Sequence, residues 1–138
     1  MKKLLIDTNI VIDLLAKREP DYFAAAQLFS LSDKKQIKLS VTSLSIANTN
    51  DILLKLRSPS EVKLILRKFK LLVDVLALDD KIINLALNDT DFNDFEDGLQ
   101  YFTAIENDQD IIITRNLKDF KKAVLPVMTA EQFLKSYK

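Results

Sequence analysis

The sequence predicts an α/β domain with a largely parallel sheet of four or five strands. Two observations carry the prediction. Apolar runs too short to be helices, such as Leu4-Leu5-Ile6 and Ile111-Ile112-Ile113, end abruptly in hydroxyl, amide and carboxylate residues. Runs of that kind read as strands buried on both faces. They alternate along the chain with longer segments of helical periodicity, the order that gives parallel strands and right-handed crossovers.

The first strand, Leu4-Leu5-Ile6, runs into Asp7-Thr8-Asn9, and Thr8 or Asn9 can cap the helix that begins at Ile10-Val11-Ile12. Pro20 opens a second helix with Tyr22, Phe23, Ala26, Leu28, Phe29 and Leu31 as its apolar face, closed by the polar residues 32–36. Residues 37–41 alternate apolar and polar as a strand does, and Ser43 can cap a helix running to about Leu56. The centre of that helix, Asn48-Thr49-Asn50-Asp51, is made of mediocre helix formers. Propensity does not explain the cluster; an exposed face or a polar site would.

Ser58-Pro59-Ser60-Glu61 has the spacing of a capping box, with proline at the first helical position. The helix behind it buries Val62, Ile65, Leu66 and Phe69, and its Lys63, Arg67, Lys68 and Lys70 read as a solvated face. Residues 71–76 read as a strand and 79–87 as a short helix. An acid-rich turn over 88–94 leads into a helix from Phe95 to Ile105. On that helix Glu96, Gln100, Thr103 and Asn107 share a polar stripe, which places Glu96 in water, while Asp97 lies at the margin of core and solvent and is the better candidate for a cleft. Gly98 costs a helix roughly 1 kcal/mol relative to alanine, which points to close packing there. Residues 110–114 are the clearest strand, 126–128 a short last one, and Thr129 caps a helix to about Tyr137.

Composition removes whole classes of chemistry. Among 138 residues there is no cysteine, no histidine and one glycine. Disulfides, thiolate or histidine zinc sites, histidine-based triads, phosphate-binding glycine loops and dinucleotide fingerprints are excluded. Twenty basic and twenty acidic residues cancel. No apolar run nears the roughly 18 residues needed to span a bilayer, so a cytoplasmic, single-domain chain (1–138) with no membrane association is expected.

What remains for catalysis is carboxylates, amides, hydroxyls, lysine and arginine. Asp7, Asp97 and Asp119 can be brought to one edge of the sheet, where ligands bind in open α/β folds, with Thr8, Thr114 and Asn116 beside them. Clustered carboxylates are costly unless a cation neutralises them, and all-oxygen donors favour Mg2+ or Mn2+. Arg115, Lys118, Lys121 and Lys122 could grip phosphates on either side of a scissile bond.

Residues 5–10 (Leu-Ile-Asp-Thr-Asn-Ile), 94–100 (Asp-Phe-Glu-Asp-Gly-Leu-Gln) and 113–120 (Ile-Thr-Arg-Asn-Leu-Lys-Asp-Phe) together resemble the motifs of the PIN domain, with the nearest likeness to VapC-like bacterial members, many of them toxins of toxin–antitoxin pairs. The likeness is collinear over essentially the whole chain. It implies a three-layer α/β/α fold and an Mg2+- or Mn2+-dependent endoribonuclease, usually a homodimer, with RNA as substrate and an antitoxin protein as a partner. It also implies that Asp7 and Asp97 bind metal directly, that Asp119 does so directly or through water, and that Asn48, Thr114 and Asn116 orient water or substrate, with Thr8, Arg115 and Lys118 on the substrate side.

One departure stands out. Family members commonly carry a glutamate inside the helix after the second strand, and the matching residue here is Asn48, which brings no charge; Asp51 is the nearest acid. A degenerate member that binds RNA or a protein without cleaving is therefore the second reading. A phosphohydrolase using Asp7 as nucleophile would want another acid two residues on, where Asn9 stands.

Overall fold

In the computed structural model, which describes residues 1–137, five strands form one parallel sheet: β1 (Lys2–Ile6), β2 (Ile37–Thr42), β3 (Asp74–Leu76), β4 (Ile111–Ile113) and β5 (Val127–Met128). Their order is β3-β2-β1-β4-β5. Seven helices surround it: α1 (Thr8–Leu15), α2 (Tyr22–Asp33), α3 (Ser43–Leu53), α4 (Pro59–Lys70), α5 (Asp80–Asn88), α6 (Phe95–Glu106) and α7 (Ala130–Ser136), with a 3₁₀ turn over Leu117–Phe120.

Strand pleating divides the core. Leu4, Ile6, Ile37, Leu39, Val41, Ile111 and Ile113 face α1, α2 and α7 through Ile10, Leu28, Phe29 and Phe133, and Phe69 of α4 joins them. Leu5 and Ile112 point the other way, onto Phe92, Tyr101, Ala104 and Phe120. Outside that layer, α5 packs on α6 through Ile82, Ala86 and Leu99. The result is the three-layer α/β/α sandwich. Gly98 lies in the α5–α6 contact, where a Cβ built on it would stand 3.4 Å from the Ala86 Cβ.

Several boundaries shift for local reasons. Asp7, not Thr8 or Asn9, caps α1, its carboxylate accepting the Thr8 N–H. Thr42, not Ser43, caps α3, and that helix stops at Leu53. Helix α2 begins at Tyr22, two residues after Pro20. The capping boxes at Ser58/Glu61 and Thr129/Gln132 are both formed. The third strand is shorter than its apolar run. Leu71 is the C-cap of α4 and 86% exposed, so the chain is still turning there and pairing begins only at Asp74.

Chain order and sheet order together fix where the strands' carboxyl ends matter. From β1 the chain crosses to β2 on one side, and β4 lies on the other. That reversal opens a crevice beyond the carboxyl ends of β1 and β4, with Asp7 and Thr114 on its lips.

Candidate active site

Three neighbouring strands end in a polar side chain: Thr42 is the last residue of β2, Asp7 follows β1 and Thr114 follows β4. A single hydrogen-bonded row connects them. The Thr114 hydroxyl donates to Asp7 Oδ2 at 2.9 Å. Its oxygen in turn accepts the Asn116 N–H (3.1 Å) and Asn9 Nδ2 (3.3 Å). Asp7 Oδ1 accepts the Thr8 N–H at 2.8 Å and Gln100 Nε2 at 3.0 Å. Gln100 also donates to Ser45 Oγ (2.9 Å) and accepts from Thr42 Oγ1 (2.6 Å). Asp7 is thus held on both oxygens, and its Oδ2 keeps lone-pair capacity toward the cleft.

The cleft, about 480 Å³, is lined by Asp7, Thr8, Asn9, Asn48, Asp51, Glu96, Asp97, Gln100, Asn116 and Arg18, over a floor that includes Ile12, Leu44 and Ile52. Both Asn48 and Asp51 face it, so the polar centre of α3 is a wall of the cleft. Glu96 is exposed, as the helical stripe indicates, and it also lines the cleft, accepting from Asn48 Nδ2 at 3.3 Å. The next members of the stripe are buried instead: Gln100 is 3% exposed and Thr103 0%. They are polar because they serve polar partners inside the protein.

Asp97 enters the cleft from the first turn of α6, which Asp94 caps by accepting the Glu96 and Asp97 N–H groups. No donor among the described residues reaches the Asp97 carboxyl. Burial pushes it up, and the charges of Asp94, Asp119, Asp7 and Glu96 push it further, to about 7. Asp119 borders an adjoining depression of about 570 Å³, shared with Asp94, Asp97, Lys118, Lys121 and Lys122.

Two expectations change. Among the described residues no three acidic groups stand close enough to enclose a cation, so Asp7, Asp97 and Asp119 do not form one ready-made cage. Asp119 lies on the 3₁₀ turn after β4 and borders the adjoining depression, near enough to Asp97 for its charge to be felt there. Arg115 does not stand free to grip phosphate. Its Nε lies 2.8 Å from Oδ2 of Asp13, a 0% exposed carboxylate on α1 that also takes Arg18 at 3.2 Å. Burying that charge required partners, and Arg115 is one of them.

Sequence reasoning missed Gln100, Ser45, Thr42 and Arg18. A signal existed for two of them: Thr42 repeats the strand-end hydroxyl of Thr114, and Gln100 lies three residues past Asp97 on a helix, the spacing of side-chain neighbours.

A parallel α/β/α sandwich with carboxylates gathered at the switch point of its sheet is the architecture of a small acid-site α/β protein, and the comparisons say which kind. The sequence profile of the PIN domain matches residues 3–118. The chain belongs to the PIN domain family. It is 25% identical over 135 residues to ribonuclease VapC1 of Aquifex aeolicus, covering 96% of this chain and 93% of that protein. Solved structures share the fold: a toxin–antitoxin complex from Klebsiella pneumoniae (TM-score 0.70, 20% identity, 92% of this chain and 97% of that one) and Mycobacterium tuberculosis VapC20, a sarcin–ricin loop cleaving toxin (TM-score 0.67, 14% identity, 88% and 95%).

Proposed function

We propose that the chain is a divalent-cation-dependent endoribonuclease of VapC-like type, acting as a single domain in the cytoplasm. The observation that carries this is Asp97, a carboxylate without a donor in the cleft it shares with Asp7, crowded by four acids of which Asp7 is one. Such a group asks for a cation, and the donor set fits one: two carboxylates and amide or hydroxyl oxygens suit Mg2+ or Mn2+, which hold several waters when bound by only one or two carboxylates. Asp7 and Asp97 would hold the ion, with Asp119 reaching it through water. A bound cation would supply a more acidic water and neutralise charge on a phosphodiester.

The chain's own residues do the rest. Thr114 and Gln100 fix the Asp7 carboxylate so that only one direction remains open. Asn48 and Asn116 offer amide groups to water or to the substrate backbone. Lys118, with Lys121 and Lys122, lies along the depression beyond Asp97, where an RNA strand leaving the cleft would meet positive charge. Incubating the purified chain with total RNA in Mn2+ or Mg2+, against the same mixture with chelator, should give cation-dependent fragments; intact RNA in every lane would sink the reading.

Asn48 favours one second reading, a member that binds RNA or protein without cleaving it. Calorimetry separates the two: cation binding with no fragments would select it.

The Asp97 environment sets a pH expectation. Its folded value of about 7 lies above the ordinary 3.8, so the folded state holds the proton more tightly than the unfolded chain. That stabilising contribution is full below 3.8 and is lost as pH rises through 7. Without cation, the melting temperature should fall between about pH 4 and about pH 7 and level off above that, and Asp97→Asn should flatten the decline. Added Mn2+ should raise the midpoint most at the upper end, where the ionised cluster needs it. An equal Mn2+ shift at both ends would contradict the assignment.

For partners, we propose an antitoxin protein and a homodimer. The solved relatives of like fold include VapBC complexes from Haemophilus influenzae and Salmonella typhimurium. Sedimentation equilibrium at micromolar concentration should show twice the 15.8 kDa chain mass; a lone monomer would argue against the dimer.

A further inference from the structure

The hydrogen-bonded row behind Asp7 has a direction, and the direction ends in the cleft. Asp7 Oδ1 is an acceptor, so the Gln100 group 3.0 Å from it must be the NH2; the turned amide would set oxygen against oxygen. Gln100 Oε1 therefore faces Thr42, and Thr42 Oγ1 must donate to it at 2.6 Å. Thr42 is free to do so because its lone pair already takes the Ser45 N–H at 3.0 Å. The second Gln100 amide proton goes to Ser45 Oγ at 2.9 Å.

Ser45 is wholly buried, so its own proton needs an acceptor within the protein. Thr8 Oγ1 is nearest, at 2.8 Å, against 3.3 Å for Thr42 Oγ1. Once Thr8 accepts, its proton has no partner among the described residues. Thr8 lines the cleft beside Asp7.

We infer that the chain Thr42, Gln100, Ser45 commits the Thr8 hydroxyl proton to the cleft, where it donates to an anionic phosphoryl oxygen of the substrate. Thr8 is then a substrate-contacting donor, and Gln100 and Ser45 are positioning residues acting through it. The inference rests on the nuclease reading of the cleft. It adds a polarity to one wall: acids hold the positive ion on one side, and a fixed donor faces negative oxygen on the other. A hydroxyl free to turn could point its proton anywhere; here three buried partners orient it.

The test is a double-mutant cycle on Thr8→Val and Ser45→Ala, read with a fluorescent RNA of mixed sequence and, separately, by Mn2+ calorimetry. Thr8→Val should raise KM about tenfold, the loss expected for one donor to a charged oxygen, with Mn2+ affinity unchanged. Ser45→Ala should raise KM by less, because Thr8 then regains its freedom to turn. Thr8→Val/Ser45→Ala should raise KM no further than Thr8→Val alone, because the effect of Ser45 on substrate passes through Thr8; any effect it has through Gln100 on Asp7 is read separately as a change in Mn2+ affinity. If Ser45→Ala fails to fold, Ser45→Cys keeps the volume and a weak donor, and should fall between wild type and Thr8→Val. Additive losses, or a fall in Mn2+ affinity on Thr8→Val, would overturn the relay while leaving the nuclease reading intact. A wild-type chain that neither binds Mn2+ nor cleaves RNA overturns both.

Discussion

Replacing Asp7 by asparagine is expected to lower RNA cleavage by more than about 100-fold, beyond the 10- to 100-fold typical of residues that only support a metal ligand. The fold should survive. Asparagine keeps the shape, its Oδ1 can still accept the Thr8 and Gln100 N–H groups, and Thr114, whose hydroxyl donates to Oδ2 in the wild type, can accept from the new amide by giving up its longer bond from Asn9 Nδ2 (3.3 Å). What disappears is the charge at the switch point of the sheet. Calorimetry should find weaker Mn2+ binding, and the midpoint gained from added Mn2+ should shrink, while the circular dichroism spectrum is unchanged. Cleavage at the wild-type rate would remove Asp7 from the site.

The largest loss of stability is expected at the other carboxylate of α1. Arg115→Met should cost about 3 kcal/mol, the low end for leaving one member of a buried ion pair alone. Asp13 has no access to water and would keep only Arg18, at 3.2 Å. For a chain of this length the melting temperature should fall by roughly 10 °C. Adding Asp13→Ala should give back part of the loss, because the stranded buried charge is then gone and Arg18, already partly exposed, can turn to solvent. A double variant that loses the sum of the two single losses would mean that Asp13 and Arg115 act independently. Since the guanidinium is committed to Asp13, KM for RNA should change far less than the melting temperature.

These two aspartates explain how much the sequence could tell. Strands, helices and their order were legible because burial writes periodicity into apolar residues, and Leu4-Leu5-Ile6 and Ile111-Ile112-Ile113 have no other use. Asp7 and Asp97 were legible as cleft candidates from position alone, one at a strand end and one at a helix margin. Pairing was not. Nothing in the spacing of residues 13, 18 and 115 says that one buried carboxylate takes both arginines, so Arg115 was read as a free cation. Gln100 was seen only as part of a polar stripe and its role missed, because helical periodicity separates polar from apolar faces and cannot separate a wet polar face from a buried one. Asp119 was placed with Asp7 because the turn over Leu117–Phe120 leaves no apolar pattern to reveal its direction.

The sheet thins toward both margins, from five and six residues in β1 and β2 to three in β3 and two in β5. Long bare margins invite strand addition and, at high concentration, fibrillar aggregation. Here each margin offers only a few backbone groups, and Pro126, immediately before β5, has no N–H to give. Two copies of this chain therefore have little means of extending one another's sheet. A dimer that formed by pairing these edges, or a polymer grown from them, is accordingly disfavoured.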